Sequence, residues 1–155
     1  MKVTSFNISR PLKELGLDLG DYMFYYCKKG QLWNAEFEIS PWENESLDDY
    51  YPAYTLEDIL NALPSVINLR CRFLNDVKNK LEYKLEYKLV LTSYGLWYYT
   101  AGDDYDDKVY IFNKQDDESF VDLAARLLIK LIQTGGVDVV SEVNRRVIDS
   151  KMQQL

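Results

Sequence analysis

The chain has no histidine. A Ser-His-Asp triad, a Cys-His pair and every histidine-ligated zinc site need an imidazole to move a proton or donate a nitrogen, so all are excluded. There are only two cysteines, Cys27 and Cys71, too few for a four-cysteine zinc site. They stand singly in apolar neighbourhoods, with no CxxC and no secretory signal at Met1-Lys2-Val3, and are expected to be reduced, buried thiols of a cytoplasmic protein. The seven glycines occur singly or as the Gly135-Gly136 pair, so neither the P-loop pattern nor GxGxxG is present and no phosphate-cradling loop is expected. Long apolar runs are also missing. The longest, Leu127 to Ile132, is interrupted by Lys130 and falls far short of the roughly 20 residues of a membrane span.

Positive charge is in short supply too, with 18 Lys and Arg against 25 Asp and Glu for a net charge of -7. The distribution is blocked. From Gly30 to Leu69 there are eight acids and no base, and from Asp103 to Glu118 seven acids face two lysines. Between these stretches, Arg70 to Lys88 holds six bases against three acids. One modest basic block does not make the concentrated face that phosphate neutralisation requires, so direct nucleic-acid binding is not expected and a basic protein partner is.

What is abundant is tyrosine, thirteen residues of it. A chain of 155 residues fits a single domain spanning 1–155, with 152–155 as a frayed tail. Ser9, Arg10-Pro11, Leu12, Leu15 and Gly16 predict a short helix capped by Ser9 and stopped by glycine. Tyr22 to Cys27 and Leu32 to Ile39 flank Lys28-Lys29-Gly30-Gln31 as a hairpin whose second strand is half-buried. Pro41 to Tyr54 reads as a long acidic loop. Thr55 begins a helix that Pro64 stops, with Glu57 and Asp58 near its positive end. Val66 onward fits a strand.

Strict alternation in LEYKLEYKLVLT puts Leu81, Tyr83, Leu85, Tyr87, Leu89 and Leu91 on one face and Glu82, Lys84, Glu86 and Lys88 on the other. Leu96 to Thr100 and Val109 to Phe112 complete an antiparallel meander. Phe120, Leu123, Ala124, Leu127, Leu128 and Leu131 mark an amphipathic helix ended by Gly135-Gly136, and Asp138 to Lys151 reads as a last helix. The expected class is α+β: an antiparallel sheet of about four to six strands with helices packed on one face.

Three stretches, LKELGLDLGDYMFYYCKKGQLW, PAYTLEDILNALP and ESFVDLAARLLIKLIQTGGVDVVSEVNRR, resemble a group of small uncharacterised proteins of phages and mobile elements in gut Bacteroidetes. The resemblance implies a bacterial or phage cytoplasmic protein and no activity.

Asp103, Asp104, Asp106 and Asp107 surround Tyr105, but as an EF-hand loop starting at Asp104 this run places Lys108 and Gln115 at positions that need an oxygen ligand and a bidentate glutamate. It reads instead as a solvated hairpin tip, and no metal or cofactor is expected. The leading candidate site is an acidic, aromatic, partner-binding face made of Trp42, Glu43, Glu45, Asp48, Asp49, Tyr50, Tyr51, Asp103, Asp104 and Tyr105, with Tyr98 and Tyr99 as adjuncts. Tyrosine and tryptophan bury much area with few torsions, and carboxylates steer a basic partner. The expected function is that of a non-catalytic accessory protein, one version being a DNA mimic. The alternative is a carboxylate-based hydrolase with Trp33, Trp42 and Trp97 lining a cleft.

Overall fold

A computed structural model describes residues 2–17, 24–27, 30–34, 50–71, 83–101 and 106–135. The predicted last helix lies outside them, as do residues 41–49 of the predicted loop and Asp103 to Tyr105 of the predicted hairpin tip; Asp106 and Asp107, expected in that tip, belong instead to a strand. The α+β class holds, with the strands divided between a three-stranded and a four-stranded antiparallel sheet. The chain groups into two compact units, one built from the residues up to Leu63 and from Lys114 onward, the other from Pro64–Asn113. Among the described residues no helix is long and apolar enough to cross a membrane.

The first unit opens with α1, Phe6–Glu14, which starts a turn earlier than Ser9 predicts. Ser5 is the N-cap, and its carbonyl accepts from the N–H groups of Ile8 and Ser9. Ser9 is instead buried on the inner face, where its Oγ and Thr4 Oγ1 share a 2.6 Å hydrogen bond. A partner outside the helix satisfies the hydroxyl that local reasoning assigned to a cap. The end is as expected. Gly16 has φ +89°, and the Gly16 N–H to Lys13 O and Leu17 N–H to Leu12 O bonds close a Schellman motif, with Leu12 and Leu17 both buried.

Strands β1 (Phe24–Tyr26) and β2 (Leu32–Asn34) form the predicted hairpin, with Tyr25 opposite Trp33. Gly30 sits at φ +82° and donates to Cys27 O in the connection, and Cys27 is a buried free thiol. The long loop expected through Tyr54 is corrected at its end: Tyr51–Ala53 is a third strand, β3, antiparallel to β1. Pro52 is tolerated there because β3 lies at the sheet edge, where one side of the strand needs no ladder donor.

Helix α2, Leu56–Ala62, carries a complete capping box. Asp58 N–H donates to Thr55 Oγ1 at 3.1 Å, and Thr55 N–H donates to Asp58 Oδ2 at 3.2 Å. Pro64 forces Leu63 out of the helical region, as predicted. Thr55→Ala is expected to lower stability by about 1 kcal/mol, seen as a lower urea midpoint with an unchanged slope.

Helix α3, Phe120–Gly135, begins where Ser119 Oγ accepts from Asp122 N–H. Its buried stripe contains Leu123, Ala124, Leu127, Leu128 and Leu131 as the spacing requires, and widens to Val121, Ala125 and Ile132. Arg126 clamps Glu118 through both carboxylate oxygens. Within this unit α1 packs on β3 and on α3, and α2 packs on α3.

The second unit is the meander β4 (Val66–Cys71), β5 (Tyr83–Leu91), β6 (Gly95–Ala101) and β7 (Asp106–Asn113), in that spatial order. Thr92 ties the β5–β6 turn: its Oγ1 accepts from the N–H groups of Tyr94 and Gly95 and donates to Gly95 O. Gly95 is obligatory, since a Cβ there would lie 2.5 Å from Phe112 O. Leu96 pairs with Phe112 and Tyr98 with Val109, so Tyr110 and Ile111 together oppose Trp97 as a bulge, with Tyr110 at φ +51°.

Candidate binding surface

Of the residues predicted to form the acidic, aromatic face, Trp42, Glu43, Glu45, Asp48, Asp49, Asp103, Asp104 and Tyr105 lie outside the described residues. Tyr50 is buried rather than displayed. Its ring lies 6.3 Å from that of Tyr25 and 6.2 Å from that of Trp33, and Lys13 Nζ donates to its carbonyl. Tyr51 is half-buried, edge-on to Phe6 at 5.6 Å and with Lys13 Nζ 5.0 Å from its centroid. Both tyrosines join the first unit's packing, because β3 draws them onto β1.

A buried polar group stands beneath that sheet. Thr4 is its centre: Thr4 O accepts from Tyr26 Oη at 2.8 Å, and Thr4 Oγ1 accepts from Tyr54 N–H at 3.0 Å. Burial, and then the Asp122 carboxylate, raise the Tyr26 phenol above its ordinary pKa of 10.0. The contacts fixed for the carboxylates are architectural: Asp58 caps α2, Asp122 accepts from Ser5 N–H, Glu118 holds Arg126 and Asp107 accepts from Tyr87 Oη.

The second unit's sheet has one buried and one open face. On the buried side lie Tyr87, Leu96, Tyr98 and Thr100, with Tyr98 Oη donating to Pro64 O at 2.7 Å. The adjunct Tyr98 is therefore a core residue. On the other side, cross-strand register assembles two parallel rows. Val66, Lys88, Tyr99 and Lys108 form one through the pairs Val66–Lys88, Lys88–Tyr99 and Tyr99–Lys108. Val90 and Trp97 pair in the next row, and alternation from Phe112, the partner of Leu96, puts Ile111 beside them.

Lys108 Nζ stands 4.8 Å from the Trp97 centroid, confirming that these two side chains share the open face. Glu86, Lys88, Tyr99, Thr100 and Ala101 line a shallow depression of about 460 Å³. Val66 is 38 % exposed, Ile111 52 % and Tyr94, at the tip of the β5–β6 turn, 83 %. Lys88 and Lys108 are exposed, and Trp97 and Tyr99 half-exposed.

No local pattern in the sequence singles out Lys88, Lys108 and Ile111 as surface partners. The LEYK alternation does place Lys88 on the polar side of its strand, but its neighbours come from β4, β6 and β7 and depend on register. No family model, curated protein or solved structure matches the chain.

Proposed function

We propose that this chain is a non-catalytic binding module that docks a protein partner on the open face of the β4–β7 sheet. The observation that carries this reading is the clustering on one rigid surface of Trp97, Tyr99, Val66 and Ile111, exposed or half-exposed, with lysines at their margin. Aromatic anchors set in regular strands bind with little loss of side-chain or backbone freedom, which favours docking. The engagement of Asp58, Asp107, Glu118 and Asp122 in capping and pairing supports binding over carboxylate hydrolysis. The resemblance to proteins of phages and mobile elements supplies the setting, an accessory role in a bacterial cytoplasm. The acidic segments around Trp42 to Asp49 and Asp103 to Tyr105 rest on their charge alone as a contact for a basic partner.

The test is affinity capture from bacterial lysate by the full chain and by a Tyr99→Ser, Ile111→Ser variant of unchanged melting temperature. A protein retained by the first and lost by the second supports the reading. Identical captures by both would remove it.

A further inference from the structure

We propose that the open face of the β4–β7 sheet takes an acidic, apolar segment of the partner protein, its aliphatic or aromatic side chains on Val90, Trp97 and Ile111 and its carboxylates on Lys88 and Lys108. The proposal rests on the binding-module reading above and specifies the chemistry of the occupant.

The order of side chains along the strands carries this specificity. Nearest the β5–β6 turn lies the apolar row of Val90, Trp97 and Ile111, with Tyr94 beyond it at the tip. Two residues further along β5 and β6, about 6.6 Å away, comes the row in which Lys88 and Lys108 flank Tyr99. Two residues further again are Glu86 and, opposite Ala101, Asp106, both exposed. The surface therefore runs from apolar to positive to negative. An extended or helical segment lying across the strands covers the first two rows, and the carboxylates of the third oppose any anion that slides further.

Lys108 is poised for this contact. Its ammonium already sits over the Trp97 ring, so an arriving carboxylate meets a positive charge at the edge of the apolar row and forms a charge-assisted hydrogen bond there. The same two lysines repel a basic partner, so this face and the acidic segments of the sequence select opposite charges. Single-stranded nucleic acid fits less well. Val66, Val90 and Ile111 offer no ring for a base to stack on, one face of Trp97 is taken by Lys108, and Glu86 and Asp106 stand in the way of a phosphate chain.

The experiment selects short random displayed peptides on the full chain and measures synthetic copies by fluorescence anisotropy. The expected winners are net negative with interspersed Leu, Ile, Phe or Trp. Their affinity should fall about tenfold or more with Lys88→Glu, Lys108→Glu, and stay unchanged with Lys130→Glu on the exposed side of α3. Peptides with Lys in place of Asp and Glu should bind the doubly reversed variant better than the parent chain. Net-basic winners, or acidic winners indifferent to the two lysines, would overturn the proposal. So would fluorescein-labelled oligodeoxythymidine that binds and is released by the double reversal while no peptide is selected. Winners that depend on Tyr99 and Ile111 but not on the lysines would leave the docking face standing and remove only its charge preference. Winners indifferent to all four residues would remove both.

Discussion

Replacing Tyr98 by alanine is expected to destabilise the four-stranded sheet by about 3–5 kcal/mol, the range for deleting a fully buried aromatic side chain. The ring is 0 % exposed, meets the Tyr110 ring edge-on at 6.3 Å, and carries the hydroxyl that donates to Pro64 O. Alanine removes the packing and the donor together. Tyr98→Phe separates the two: it keeps the ring and deprives a buried carbonyl of its partner, for about 1–2 kcal/mol. Hydrogen exchange of the β5 and β6 amides reads both values as changes in opening free energy. Equal losses in the two variants would mean that the hydroxyl, not the ring, holds the sheet.

Leu127→Ala should cost the first unit about 2–5 kcal/mol. Leu127 is fully buried at the middle of α3, between Leu123 and Leu131 along the stripe and next to Leu128, so the surroundings are already close-packed and have little room to collapse into the void. Lys130→Ala, on the exposed side of the same helix, is expected to change stability by less than about 0.5 kcal/mol. Exchange protection of the α3 amides distinguishes the two. A small loss at Leu127 would show that α3 is held by its neighbours on the stripe and not by this position.

How far local pattern reaches is clear from particular elements. α3 was legible from its spacing and α2 from Thr55 and Pro64, since a helix satisfies its hydrogen bonds within itself and its boundaries are set by residues three or four apart. In the β5–β7 meander, β5 is legible from period-two alternation, and β6 and β7 from the Gly95 break and the acidic turn before Val109. α1 starts a turn before the cap that Ser9 suggests, because Ser9 is satisfied across a tertiary contact to Thr4. β3 looks like loop in the sequence, since Pro52 and the acids before it are loop residues by type, and only pairing with β1 makes Tyr51–Ala53 a strand.

The candidate surface divides in the same way. That acid and phenol crowd the same stretches can be read from the chain, but whether a given tyrosine is anchor or core cannot: Tyr50 and Tyr98 are core, while Tyr99 faces outward from the same strand as Tyr98. By itself, the sequence determined the α+β class, the helix stops and the exclusion of imidazole chemistry, because each follows from residue type and near-neighbour spacing. The tertiary structure alone decided that Lys88, Trp97, Tyr99, Lys108 and Ile111 share one surface, because strand register brings together residues up to more than twenty positions apart, and backbone pairing across strands sets that register.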